Sequence, residues 1–191
     1  MSPRTKEQFD EIRSERKARI MQAALEVFSE EGFGKASISK IAGRAGVSKG
    51  LMYNYFKSKE ELIETIFIDA MTRLMSGFEV NPKTTPSKEE FTLFIKKSMD
   101  DFKNNLPYWR MYFSVMMQAD VMHKVEKELF EFAMPVIMMM AKYYESQGFE
   151  NPLAKARLLA ATLDGIGLNY MMDTENFPYE EAIDMIIEKL I

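Results

Sequence analysis

The stretch that most restricts what this chain can become is Ser37 to Glu61, SISKIAGRAGVSKGLMYNYFKSKEE. Ser37 is an N-cap residue, and Ile38, Ile41, Ala42 and Ala45 follow at helical spacing, so a short helix with one apolar face ends near Ala45. Gly46 supplies the turn, because a residue without a Cβ enters positive φ at no steric cost. Ser48 caps a second helix with Met52, Tyr55 and Phe56 on its inner side. Two capped helices joined by a glycine turn form a helix-turn-helix, whose second helix lies in the DNA major groove.

What that second helix presents fits a phosphate backbone. Its first turn is Ser48, Lys49, Gly50 and Leu51: free N–H groups, a formal positive charge, and a glycine that lets the main chain come close. Tyr53 offers a hydroxyl to a second phosphate. Lys57 and Lys59 flank Ser58, and Ser58 with Glu61 has capping-box spacing, so the following helix also opens beside the duplex. Any one of these residues alone is ordinary surface; together they make a phosphate clamp. The expected DNA-facing set is Ser37, Ser48, Lys49, Gly50, Leu51, Tyr53, Asn54, Lys57 and Lys59.

The segment IAGRAGVSKGLMYNYFKSKEEL, Ile41 to Leu62, resembles the DNA-binding signature of the TetR/AcrR family of bacterial transcriptional regulators. Two departures stand inside it. Met52 occupies a site that is often Leu or Phe in the family, and Asn54 one that is more often aromatic or His. With the helix before it, the motif resemblance covers about the first third of the chain. It implies an all-α fold, with a three-helix DNA-binding head at residues 1–58 and a helical bundle at 59–191 for effector binding and dimerisation.

Charge is divided in the same way. Residues 1–60 carry 12 Lys and Arg against 8 Asp and Glu, whereas 61–191 carry 13 against 21, within a formal net charge of −4. A basic head on an acidic body orients the approach to DNA. The 47% hydrophobic and 28% charged composition is that of a globular chain. With no cysteine, disulfides and thiolate metal sites are excluded, consistent with a reducing cytoplasm. The N-terminal residues are charged and do not read as a signal peptide. The apolar run that contains Met134 to Ala141 is far below the roughly 18 residues of a membrane span.

Along the chain, Arg4 and Lys6 belong to a mobile tail or a basic arm. A first helix is expected over Glu11–Glu31, with Ile20, Ala23, Ala24, Val27 and Phe28 on its buried face. Arg13, Arg16, Lys17 and Arg19 crowd its N-terminal half and include candidates for the DNA backbone. A connector helix follows over Lys59–Phe78, then a loop, Asn81–Lys88. The remaining helices are expected over Ser87–Asn105, Tyr108–Gln118, Asp120–Ser146 with a kink or break ahead of Pro135, Asn151–Met172 and Pro178–Leu190. There is no alternating strand pattern.

Methionine is abundant in the body, and Trp109, Tyr112, Phe113, Met116, Met117 and Met138 suit either an adaptable apolar pocket or simple core packing. The family resemblance implies the pocket, holding a small apolar or aromatic effector. Asp164 and Asn169 are candidates for its polar end, or else face solvent. A helix-turn-helix dimer requires an interface. Ala161, Gly165, Leu168, Ile183 and Ile187 on the last two helices are its candidates, packed as four helices if the resemblance holds; alternatively the glycines mark a bend over a ligand. His123 has no nucleophile or metal-ligand partner at useful spacing, so no catalytic site, metal or cofactor is expected. The expectation is a cytoplasmic homodimeric repressor that binds a pseudo-palindromic double-stranded DNA operator and is released by the effector. The alternative is an architectural DNA-binding dimer without one.

Overall fold

Helical spacing and capping along the chain are realised as nine helices among the residues described, 6–75 and 84–191, in a computed structural model. They are α1 (Lys6–Glu31), α2 (Ile38–Arg44), α3 (Lys49–Tyr53), α4 (Lys59–Leu74), α5 (Lys88–Asn104), α6 (Leu106–Met116), α7 (Ala119–Ser146), α8 (Pro152–Met172) and α9 (Tyr179–Leu190). No strand occurs among the described residues, so the fold is all-α as expected. Arg4, the first residues of the Asn81–Lys88 loop and the end of the connector expected at Phe78 lie outside the described residues.

Two compact units result, one of Met1–Phe67 with Arg110–Glu126, the other of Ile68–Trp109 with Lys127–Ile191. This border differs from the one expected at residue 58. Leu62, Ile63 and Ile66 of α4 are fully buried, so the first two turns of the connector complete the small core of the head. In the first unit that core is built from Ile20, Ala24, Leu25 and Phe28 of α1 with Ile41, Met52, Phe33 and Phe56. Val115, Val121 and Val125, far along the chain, are equally buried.

The second unit has its own core, in which Phe91 and Ile95 of α5, Tyr143 and Tyr144 of α7, Leu159 of α8 and Ile183 of α9 belong to one cluster. Polar tips are satisfied there. The Tyr179 hydroxyl donates to the Met99 carbonyl at 2.7 Å, and Tyr144 to the Leu190 carbonyl at 2.7 Å, so α9 is tied down at both ends. Ser87 and Glu90 form a capping box at the start of α5, with Glu90 N–H on Ser87 Oγ at 3.2 Å and Ser87 N–H on Glu90 Oε2 at 2.7 Å.

Helix α7 runs through Pro135 without a break. Both Pro135 and Glu131, whose carbonyl the proline leaves without a helical donor, are exposed, so water can supply the missing bond.

Candidate nucleic-acid interface

Geometry of the helix-turn-helix follows from its caps. Ser37 Oγ accepts from Lys40 N–H at 3.3 Å and Ser48 Oγ from Leu51 N–H at 3.1 Å. Between α2 and α3, Gly46 has φ of +65°, and Val47 N–H reaches back to the Ala42 carbonyl at 3.0 Å, closing the first helix as the second begins. Helix α3 is shorter than its sequence suggests. It ends at Tyr53 with Asn54 as C-cap, and Tyr55 and Phe56 lie beyond it. Phe56 is still buried, at 2% exposure, because the N–H groups of Tyr55 and Phe56 both turn back onto the Met52 carbonyl. A five-residue helix sums few peptide dipoles, so attraction for phosphate rests on formal charge and free N–H groups instead.

The expected DNA-facing residues divide by environment. Ser48, Lys49, Gly50, Asn54 and Lys57 are exposed, Tyr53 is 48% exposed, and Leu51 is half-buried. Ser37 is exposed as the cap of α2. A Cβ built on Gly50 would meet nothing within 4 Å, so this glycine answers no packing need of its own chain.

Charge in the head is sorted along its length. Arg44 of α2 lies 2.7 Å from Glu30 and 3.2 Å from Glu26 of α1, and Lys40 lies 2.5 Å from Glu31. Hydrogen bonds from Arg44 pull the Glu30 carboxyl below its ordinary range, and Glu30, then Glu26, push the guanidinium above its own. The cations of α2 are therefore matched by α1. Lys49 and Lys57 form no ion pair among the described residues.

Lys59 departs from its expected place. Its ammonium donates to the carbonyls of Phe33, Gly34 and Ala36 at 2.8, 3.1 and 3.4 Å, and stands 4.6 Å from the Phe33 ring centroid. All three ammonium protons are used on the α1–α2 turn, which makes Lys59 a clasp for that turn rather than a phosphate contact. From the other side Gln118 accepts from Phe33 N–H at 2.8 Å and donates to the Phe28 carbonyl at 3.2 Å. Motif reading had no signal for this link, because Gln118 lies 85 residues away from Phe33 in the chain. Lys59→Met should lower head stability by about 1–3 kcal/mol, the usual range for an unmade hydrogen bond to a charged group. Lys49→Met should stay within about 0.5 kcal/mol of the wild type. Equal urea midpoints for the two variants would remove the clasp.

The effector candidates do not form one group. Trp109, Met138, Asp164 and Asn169 belong to the second unit, and Tyr112, Phe113, Met116 and Met117 to the first. Trp109 is committed to packing: it is 1% exposed, stacks on Phe102 at 5.7 Å, and its indole N–H reaches Asp101 Oδ2 at 3.2 Å. Tyr112 and Met116 are buried, Phe113 is half-buried, and Met117 and Met138 are 68% and 45% exposed. Asn169 is exposed and bonds the Gly165 carbonyl of its own helix at 2.7 Å. Asp164 retains access to solvent, yet surrounding protein raises its carboxyl above the ordinary range by desolvation. A groove of about 540 Å³ opens elsewhere, at the α7–α8 corner beside Phe149, Lys155 and Leu158.

Among the dimer candidates, Ile183 is 5% exposed inside the core of its own chain, and Ile187 packs against that core. The amphipathic stripe of α9 that suggested an interface is largely spent within the protomer. Helix α8 differs. Ala161 is exposed, Gly165 and Leu168 are half-buried, and Leu158 and Met172 are 55% and 86% exposed. Leu158, Ala161, Gly165, Leu168 and Met172 repeat at alternating steps of three and four, the spacing of a helix-pairing seam. That spacing was available in the sequence; the exposure of Leu158 and Met172 was not.

Known proteins resemble this chain in its N-terminal segment and in its fold. Residues 20–66 match the bacterial regulatory proteins of the tetR family. An HTH-type transcriptional regulator of Bacillus subtilis, YerO, is 26% identical over 189 residues, covering 93% of this chain and 64% of its own length. The fatty acid metabolism regulator protein of the same organism is 39% identical over 80 residues, 41% of each chain. The chain thus spans less than two thirds of these two relatives. In fold it is similar to the transcriptional regulator FadR from Bacillus subtilis in complex with stearoyl-CoA, with a TM-score of 0.72 at 22% identity over 91% of this chain and 97% of the other.

Proposed function

We propose that this chain, whose residues 20–66 match the bacterial regulatory proteins of the tetR family, is a transcriptional regulator of that family that represses as a homodimer on a pseudo-palindromic operator and lets go when an apolar effector enters its body. The observation that carries the DNA half of this reading is the exposed first turn of α3, where Lys49 without an ion pair adjoins Gly50 with open space at its Cβ. In this reading residues 1–58 are the DNA-binding segment, and 59–191 hold the effector and dimer surfaces.

Support for a dimer comes from the seam on α8, since exposed Leu158 and Met172 with half-buried Leu168 between them are the kind of surface a second copy covers. Support for an effector comes from relatives. A regulator of fatty acid metabolism matches part of the chain, and a protein of the same fold holds stearoyl-CoA, so long-chain acyl-CoA is the first probe. A ligand that binds the folded state raises the thermal midpoint by mass action, while an architectural dimer gains nothing from any compound tried. The effector can shift operator release only by its differential affinity for the two states.

Selection of fragmented source-genome DNA tests the reading, with Lys49→Ala alongside. Enrichment of an inverted-repeat site by the wild type alone is the expected result. If both proteins enrich the same diffuse set, the architectural alternative replaces it.

A further inference from the structure

Helix α1 is longer than the core beneath it. Its buried residues begin at Ile20, and over residues 6–19 only Ile12 is even half-buried. Fourteen residues, about 21 Å of helix at 1.5 Å each, therefore project past the packed part of the head. The face they present is the continuation of the buried one. Arg13, Arg16, Lys17, Ile20, Ala24 and Val27 follow the spacing of a single helix face, apolar from Ile20 onward and cationic before it. Arg13 and Lys17 are four apart and Arg16 sits between them, so like charges are stacked where each such pair destabilises a helix by roughly 0.2–0.5 kcal/mol.

None of the three forms an ion pair among the described residues, although the acids of the same helix, Glu26, Glu30 and Glu31, do pair with Lys40 and Arg44 of α2. Two of them lie beside aromatic rings instead. The Arg13 guanidinium lies 5.9 Å from the Tyr55 ring centroid and the Lys17 ammonium 5.9 Å from that of Phe56. Tyr55 and Phe56 directly follow α3, between exposed Asn54 and exposed Lys57. The cationic face of α1 is thus continuous with the C-terminal end of the recognition helix, the end opposite Lys49. A clustered, unpaired positive surface bordering a DNA-reading helix fits a polyanion running past both.

We propose that Arg13, Arg16 and Lys17 form a second phosphate-binding face, by which α1 grips the DNA backbone beside the tract that α3 reads. This rests on the reading that α3 docks on DNA and adds to it a sequence-independent contribution to affinity. Cations that neutralise phosphates release condensed counterions, so each true contact steepens the dependence of log affinity on log salt by about 0.9. Contacts of this kind position the protein and carry no base information.

The test uses the full chain with two duplexes of equal length, one bearing the site enriched by selection and one scrambled. Arg13→Gln, Arg16→Gln and Lys17→Gln are compared singly and as a triple with Lys127→Gln, which makes the same charge change on exposed α7. Each α1 variant should lower the salt slope by about 0.9 per protomer, about 1.8 for the dimer, so the loss of affinity between 0.05 and 0.2 M salt shrinks about 12-fold per substituted position. The preference for the enriched duplex over the scrambled one should be unchanged. A slope no lower than that of Lys127→Gln overturns the α1 face, and if Lys49→Ala still weakens binding the α3 reading survives. Wild-type protein that prefers neither duplex overturns the α3 reading, and the α1 face then stands or falls on the slope comparison alone.

Discussion

Gly50→Asp should eliminate operator binding while leaving the protein as stable as the wild type. Gly50 is the second residue of α3, exposed, with no positive φ and no atom within 4 Å of a built Cβ, so the fold accepts a side chain there. An acid in the first turn of a helix is neutral to mildly favourable, and exposed substitutions of this kind stay within about 0.5 kcal/mol. DNA reverses the sign. A carboxylate placed where phosphates approach loses the close main-chain contact and adds like-charge repulsion that costs several kcal/mol. A fall of more than about 100-fold in operator affinity, or roughly 2.7 kcal/mol, is expected, with Gly50→Ala between the two. Fluorescence anisotropy beside a thermal melt reads both quantities. If Gly50→Asp melts normally and still binds its operator within a few-fold, α3 does not dock by its first turn.

The second large effect separates two glycines of one helix. A Cβ on Gly167 would stand 3.1 and 3.3 Å from Phe102 ring carbons, and that ring cannot retreat because it stacks on buried Trp109, itself anchored to Asp101. Overpacking of this kind costs about 1–3 kcal/mol for a small group and more for a large one. Gly167→Leu should therefore destabilise the fold by roughly 3 kcal/mol or more, read as a strongly lowered denaturation midpoint. Gly165 has nothing within 4 Å of its Cβ. Gly165→Glu should fold normally, with unaltered helical content, and run as a monomer in size exclusion with light scattering, because it buries a charge in the proposed α8 seam. A Gly165→Glu variant that remains dimeric would place the dimer surface elsewhere. The tests are independent: Gly167 reports on packing within the chain, Gly165 on packing between copies.

The glycine pair also shows where reading along the chain stops. Both residues look alike in sequence, two small positions in an apolar helix, and both suit close helix approach. Only the crossing of α5 beneath Gly167 assigns one to the protomer's own core. Lys59 is the same case in the head. Its place after Ser58 suits a phosphate contact, and the actual partners are three carbonyls 23 to 26 residues earlier. Trp109, read as a pocket aromatic, is held by α5, and Ile183, read as an interface residue, lies in the core.

Caps, turns and periodic faces are local, and they were legible. Ser37, Ser48 and Ser87 cap the helices they precede, and Gly46 takes the positive φ its turn requires, because each depends on atoms within four residues. The sequence by itself therefore determined an all-α chain with a helix-turn-helix near its start, and the continuous match of that segment carried the resemblance to the TetR family. Which face of each helix is covered, and by what, depends on contacts between segments far apart in the chain. Tertiary structure alone decided that Lys59 clasps a turn, that Gln118 reaches the end of α1, and that α8 rather than α9 keeps an apolar row uncovered, because periodicity defines a face and only packing decides whether that face finds a partner.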